Sequence, residues 1–439
     1  VLSVEEALAE LGRNDTRLLD HARLAWEALS CGGGPESVTQ WRVQQFCWFE
    51  LAASEQLAGR RWPLAEGLAA LLDGLGLGRY AALARSGTTR EILLAADQSI
   101  GGGHALAHRA SRRSGIHPPD IELITWRARC GPVEALLAEH VADRLEIAVV
   151  LGDLQPGARG WRDQQAELTL RVLTTPRPAF ADRPPYEALV AERVHRWVRR
   201  PRSTTRSGLL APLERRLQPR VDPGMAAPAR ALLRPLDWLL TEVHDDGLPL
   251  TAAGYLPPRT VARALDELGW RDELIGPATR EVDAYPVLVL RESATRLGLV
   301  RRRAGRLVRT QSGRSAVADG RALWLEVAAA LVGGEDSALA TAWEVVLAVL
   351  EPGDSVPEED VRALVQSVVS ESGWRLAGRR DPGSVDTAPL FFAVLRELRW
   401  LELVEESDAL LDRRLQAGPG AADLFRAALR HRVLHAGRG

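Results

Sequence analysis

Arginine is the residue of this chain best equipped to hold a charged partner. It is concentrated in residues 299–314, where six arginines stand without one acidic residue. A guanidinium is permanently charged and presents a planar fork of donors that matches a phosphate group. Arg301, Arg302, Arg303, Arg306 and Arg309 are therefore predicted phosphate contacts. Each would release condensed counterions, so binding would depend on salt. The helix-period segment ahead of them would present Arg291, Glu292, Thr295 and Arg296 to a groove. Nucleic-acid binding thus rests on Arg291, Arg296, Arg301, Arg302, Arg303, Arg306 and Arg309, with double-stranded DNA as the first candidate partner. Two features favour the alternative, a structural hairpin that packs internally or meets another protein. Residues 270–285, between the two helices before the hairpin, far exceed the short turn of a helix-turn-helix. Alternating arginines also suit a solvated face in a chain that has no lysine.

Other reactive residue types form weaker patterns. His104 and His108 follow Gly101-Gly102-Gly103 and share a helix face, as zinc ligands would. No Glu follows His104, and a third ligand would have to come from His117, Asp120 or Cys130 through folding. His431 and His435 repeat the spacing near the end of the sequence. Gly74-Leu75-Gly76-Leu77-Gly78 has neither a preceding strand nor a following Lys, and reads as a helix break rather than a phosphate loop. No Gly-x-Ser-x-Gly elbow occurs. Asp245-Asp246 and Glu358-Glu359-Asp360 fall at helix ends, where capping explains them. No catalytic residue, metal ligand or cofactor is assigned, and a metal-dependent enzyme ranks third among the readings. Trp161 and Trp197 stand next to arginines and could stack on a base or on a guanidinium.

The elements that must position these residues follow from pattern and punctuation. The chain has 439 residues, nearly half of them hydrophobic, enough for about three domains. All 56 basic residues are arginine, which fits codon bias better than selection for guanidinium chemistry. Net charge is −2, so any polyanion-binding surface must be local. Three widely spaced cysteines are no disulfide framework. Without a long apolar run or a basic-apolar leader, a cytoplasmic protein with no membrane partner is expected.

Residues 1–180 read as a helical domain. A Ser3-Val4-Glu5-Glu6 capping box opens it, and Leu18, Ala22, Ala25, Trp26 and Leu29 share one helix face. Further helices are expected over residues 37–56, 64–83 and 133–144. Leu145 to Leu151 could be a strand or the end of the last of these. Residues 181–235 form a basic, proline-rich connector with a helix over residues 186–198. Between Arg193 and Arg234 it holds eleven arginines against Glu214 and Asp222, punctuated by Pro201, Pro212, Pro219, Pro223, Pro228 and Pro235. Arg199-Arg200-Pro201-Arg202 and Arg215-Arg216 form its basic patch, for which a solvated linker, or arginines paired to acids of the helical half, is favoured over phosphate or RNA contact.

Two related units follow, residues 236–333 and 334–439. In the first, Pro257-Pro258 opens a helix, Gly298 closes another, and Ala304-Gly305 turns the arginine hairpin. Helix, hairpin, turn and helix make the back half of a winged helix. In the second, Leu401 to Val404 and Arg414-Leu415 form a hairpin carrying Glu402, Glu405, Glu406, Asp408 and Asp412, which would repel phosphate. It is expected to dock on the basic hairpin or on the connector. The predicted fold class is mostly α: an N-terminal helical domain followed by two winged-helix-like units with short β-hairpins.

The first unit carries a distinctive string, Leu250-Thr251-Ala252-Ala253-Gly254-Tyr255-Leu256-Pro257. Leu290-Arg291-Glu292-Ser293-Ala294, Leu297-Gly298-Leu299-Val300, Arg306-Leu307, Thr310, Gly313-Arg314 and Ala322-Leu323-Trp324 follow it. In these residues it resembles the C-terminal region of uncharacterised actinobacterial proteins, including the plasmid open-reading-frame-three-like family. The resemblance implies a winged-helix-like fold and brings no functional residue with it. The function expected is a non-catalytic, macromolecule-binding protein, with a protein-interaction scaffold as the alternative.

Overall fold

The computed structural model describes residues 2–127, 130–199, 203–217, 226–274, 276, 278–333, 335–350, 355–374, 387–407 and 413–435. Arg200, Pro201, Arg202, Pro219, Asp222, Pro223, Asp408 and Asp412 lie outside them. Helices dominate, with two small three-stranded antiparallel sheets, the mostly α class expected. The chain forms two compact units, Val1–Leu189 and Val190–Gly439. The described part of the connector from Val190 onward thus belongs to the second.

The first unit runs α1 Val4–Asn14, α2 Thr16–Ser30, α3 Gln40–Gln44, α4 Leu51–Ala53, α5 Arg61–Gly74, α6 Gly78–Ala84, α7 Gly87–Gln98, α8 Ile100–Arg113, α9 Pro132–Leu151 and α10 Trp161–Thr174. Ser3 and Glu6 complete the capping box at α1. Ala22, Ala25, Trp26 and Leu29 of α2 are buried in the core. The helix expected over residues 37–56 is interrupted by a π turn, Gln45–Glu50. The turn sends Phe46, Cys47 and Trp48 inward, where Trp48 Nε1 donates to Thr89 Oγ1 at 2.9 Å. Residues 145–151 complete α9, so the open choice there resolves to helix. Gly103 sets the approach of α8 to α7, because a Cβ on it would lie 2.6 Å from that of Ala96 and 2.9 Å from its Cα.

One side of α9 gathers carboxylates. Glu139 accepts from Arg42 Nε at 2.8 Å, and Glu146 accepts from the Gln40 amide at 2.7 Å and the Tyr80 hydroxyl at 2.9 Å. Between them, burial and the charges of Glu139 and Glu146 push Asp143 up to about 6.

The second unit runs α11 Pro185–Val198 (which begins before its boundary), α12 Thr204–Leu210, α13 Leu213–Arg216, α14 Ala226–Leu232 and α15 Arg234–Glu242, then β1 Leu248–Pro249, α16 Pro258–Glu267, α17 Tyr285–Arg296, β2 Val300–Arg303, β3 Arg306–Arg309, α18 Gln311–Ala318 and α19 Gly320–Ala330. The order then recurs: α20 Ala338–Val349, β4 Val356–Pro357, α21 Glu358–Glu371, α22 Ala388–Trp400, β5 Val404–Glu406, β6 Arg414–Ala417 and α23 Ala421–His435. Both sheets have the same topology, β1-β3-β2 and β4-β6-β5.

The repetition reaches single residues at the joints. Leu248 and Pro249 pair with Leu307 and Arg306, as Val356 and Pro357 pair with Leu415 and Arg414. The Leu299 amide donates to Ala294 O and the Leu403 amide to Leu398 O, both at 2.9 Å. Gly298 and Glu402 hold the matching left-handed corner, at φ 70 and 59. Gly269-Trp270 and Gly373-Trp374 end the matching helices.

A buried carboxylate ties the connector to the repeats. Glu344 of α20 is 4% exposed and accepts from Arg206 Nη2 at 2.7 Å, Arg432 Nε at 3.2 Å and Trp197 Nε1 at 3.4 Å. Arg206 also lies over the Trp197 ring, 4.7 Å from its centroid. Of the two stacking partners foreseen for Trp197, the guanidinium is present. Glu371, held by Ser203 and Thr205, adds a surface tie that pulls its carboxyl down to about 2.

Arg206→Met is expected to cost about 2–3 kcal/mol in urea unfolding, because buried Glu344 loses its shortest ion pair and keeps only Arg432 and Trp197. Asp143 behaves differently. A carboxyl whose folded pKa is raised loses stability as pH climbs from about 4 to about 6. Asp143→Asn should therefore match the wild type at pH ~4 and exceed it at pH ~8, by on the order of 1 kcal/mol after allowing for water at this half-exposed site. Urea titrations at the two pH values check it.

Candidate nucleic-acid interface

The arginine hairpin forms where expected. Ala304 and Gly305 both adopt positive φ, 48 and 71, the primed turn that matches strand twist. The register pairs Val300 with Arg309 and Arg302 with Leu307. Leu299, Val300 and Leu307 bury the inner side against the helices. β2 is an outer strand of its sheet and carries Arg301, Arg302 and Arg303 on its exposed length.

The seven arginines divide into two groups. Arg306 donates to Asp246 O at 2.7 Å, Asp246 Oδ2 at 2.9 Å and Gly247 O at 2.6 Å. Arg309 donates to Leu240 O at 2.9 Å and Asp245 Oδ1 at 3.1 Å. These two stitch the hairpin to the turn after α15, so Asp245-Asp246 hold the hairpin rather than cap the helix, whose C-cap is Val243. Arg291 donates at 2.5 Å to Glu281, a fully buried carboxylate that also accepts the Leu256 amide at 2.5 Å. Arg296 grips both oxygens of Glu397, donates to Ala330 O and Leu331 O, and sits 5.1 Å from the Trp343 ring centroid. Arg291 and Arg296, placed by spacing on a groove-reading face, are thus committed to internal partners.

Arg301, Arg302 and Arg303 are exposed and make no ion pair among the described residues. Arg302 extends over the turn at Gly254. A Cβ there would come within 2.4 Å of Arg302 Nη1, and φ is +85, so this position of the Leu-Thr-Ala-Ala-Gly-Tyr string requires glycine.

The second hairpin is docked away from the first. Glu402 accepts from Arg234 Nη2 at 2.5 Å and Trp270 Nε1 at 3.3 Å. Glu406 pairs with Arg399 of its own repeat. Of the two docking sites foreseen, the last connector arginine is the one occupied. Trp270 and Trp400 meet edge to face at 5.7 Å, and Arg399 reaches Glu273, so α17 and α22 face each other across the repeat boundary. Arg234, Trp270 and Glu273 lie more than a hundred residues from their partners, so spacing could not find them.

His104 and His108 lie together on α8 with ring centroids 6.5 Å apart, and Phe49 packs on both. His117 meets Trp41 at 5.5 Å. Among the described residues no group of three or more His, Cys, Asp or Glu is placed to hold a metal. His431 and His435 stack at 4.2 Å, and burial holds His431 down to about 4. No described helix is long and apolar enough to cross a membrane. Comparison with protein-family models, curated proteins and solved structures finds no match to this chain.

The two groups of arginines should separate in thermal unfolding. Arg291→Met strands Glu281 in the core and is expected to cost about 3 kcal/mol or more. Alanine at Arg301 and Arg303 should change stability by no more than about 0.5 kcal/mol.

Proposed function

We propose that the chain is a macromolecule-binding protein whose second unit holds two winged-helix-like repeats, and that the first repeat's hairpin contacts the phosphates of double-stranded DNA. The observation that carries this reading is the run Arg301-Arg302-Arg303 on an exposed outer strand, unpaired among the described residues, while the other arginines of the region are internally committed. The order α15-β1-α16-α17-β2-β3 and the strand order β1-β3-β2 support a winged-helix-like description.

Phosphate contact without base reading fits these residues best. A groove-reading α17 would need Arg291 and Arg296, and both are held by carboxylates. Binding would then be electrostatic and tolerant of sequence. A protein-interaction scaffold is the second reading, favoured by the packing of α17 against α22.

Fluorescence anisotropy on a random duplex across a salt series tests the proposal. The wild type should bind with steep salt dependence. Reversing Arg301, Arg302 and Arg303 to Glu should lower the log–log salt slope by about 3, roughly one per phosphate contact. Absence of binding at low salt, or a variant that keeps the full slope, would overturn it in favour of the scaffold.

A further inference from the structure

The first unit carries a second concentration of positive charge, independent of the hairpin. Along α8, Ala105, His108, Arg109 and Arg112 fall on one helical face, and His117 closes over it from the following loop. Together they line a shallow, largely open concavity on the surface of this unit. None of the lining residues is a carboxylate. Arg109 and Arg112 form no ion pair among the described residues, although ion pairs occupy arginines elsewhere in this unit, Arg42, Arg61, Arg85 and Arg171 among them.

Holding two guanidiniums and two imidazoles around one concavity costs electrostatic energy unless something answers the charge. The imidazoles register that field. Burial first, then His104 and Arg112, hold His108 below the ordinary histidine range. Burial, His108 and Arg112 do the same for His117, opposed by Asp120.

From this geometry we infer that the α8 cleft is a binding site for a small phosphate-bearing molecule, with Arg109 and Arg112 gripping the phosphate and His108 and His117 adding donors when protonated. Guanidinium forks match phosphate oxygens. A bound anion favours the imidazolium form, so affinity rises as pH falls. Phe49 and Trp41 fix the rings of His108 and His117 from behind.

Isothermal titration of the full chain with inorganic phosphate at pH ~7 tests the site, set against Arg109→Gln/Arg112→Gln. Both side chains are exposed, so the double variant should fold, which circular dichroism verifies. The wild type should bind, and the variant, having lost both guanidinium contacts, should bind at least about tenfold more weakly. Sulfate, whose own charge is constant here, should bind more tightly at pH ~6 than at pH ~8. Reversing Arg301, Arg302 and Arg303 should leave phosphate binding intact, which separates this site from the hairpin. No binding by the wild type, or equal binding by a folded double variant, would overturn the assignment.

Discussion

A carboxylate shut away from water must be answered by cations, and the second unit is organised around that requirement at Glu344. Its two oxygens draw in Arg206 from α12 and Arg432 from α23, with the Trp197 indole of α11 as a third donor. Helices α11, α12 and α23 are thereby fixed to α20, and the described part of the connector becomes structure instead of tether. Arg193, equally buried, donates to the carbonyl of Leu434 near the end of α23 and reinforces the same arrangement. The cost of burying these charges is offset only because every one of them finds a partner.

The same logic sorts the arginines of the first repeat. A guanidinium near a carbonyl end or a buried carboxylate is consumed by the fold, as at Arg291, Arg296, Arg306 and Arg309. One on an outer strand with no acid in reach is left for solvent or a ligand. Between the repeats, Arg296 with Glu397 and Arg234 with Glu402 flank the Trp270–Trp400 contact. Opposite charge thus joins the repeats to each other, and the basic hairpin stays outside that junction.

Local chemistry was legible in the sequence, and long-range partnership was not. Ser3 with Glu6, Pro257-Pro258 and Ala304-Gly305 each encode their conformation within a few residues, and each forms as expected. The choice between strand and helix over residues 145–151 was undecidable from periodicity, because Leu145 to Leu151 is a short apolar run broken only by Glu146; in the structure it continues α9. The repeat was visible as element order alone. Its residue signature, Gly269-Trp270 with Gly373-Trp374 and Leu248-Pro249 with Val356-Pro357, becomes apparent only when strand register aligns the two copies. At the candidate interface, spacing correctly grouped Arg301, Arg302, Arg303, Arg306 and Arg309 on one hairpin. It could not tell Arg303 from Arg306, because Asp246 meets Arg306 across a turn whose geometry no local pattern records.

The two hairpins differ most in the charge of their outer strands, arginines on β2 and glutamates on β5. An outer strand leaves a row of backbone N–H and C=O groups open to a strand from another molecule, the route by which sheets grow into aggregates. Two copies of β2 brought edge to edge would set three guanidiniums against three, and two copies of β5 would set carboxylate against carboxylate. Each edge therefore repels its own likeness. The sign of the charge is immaterial to this protection and only its uniformity matters, so the arginine-bearing edge and the glutamate-bearing edge are guarded alike.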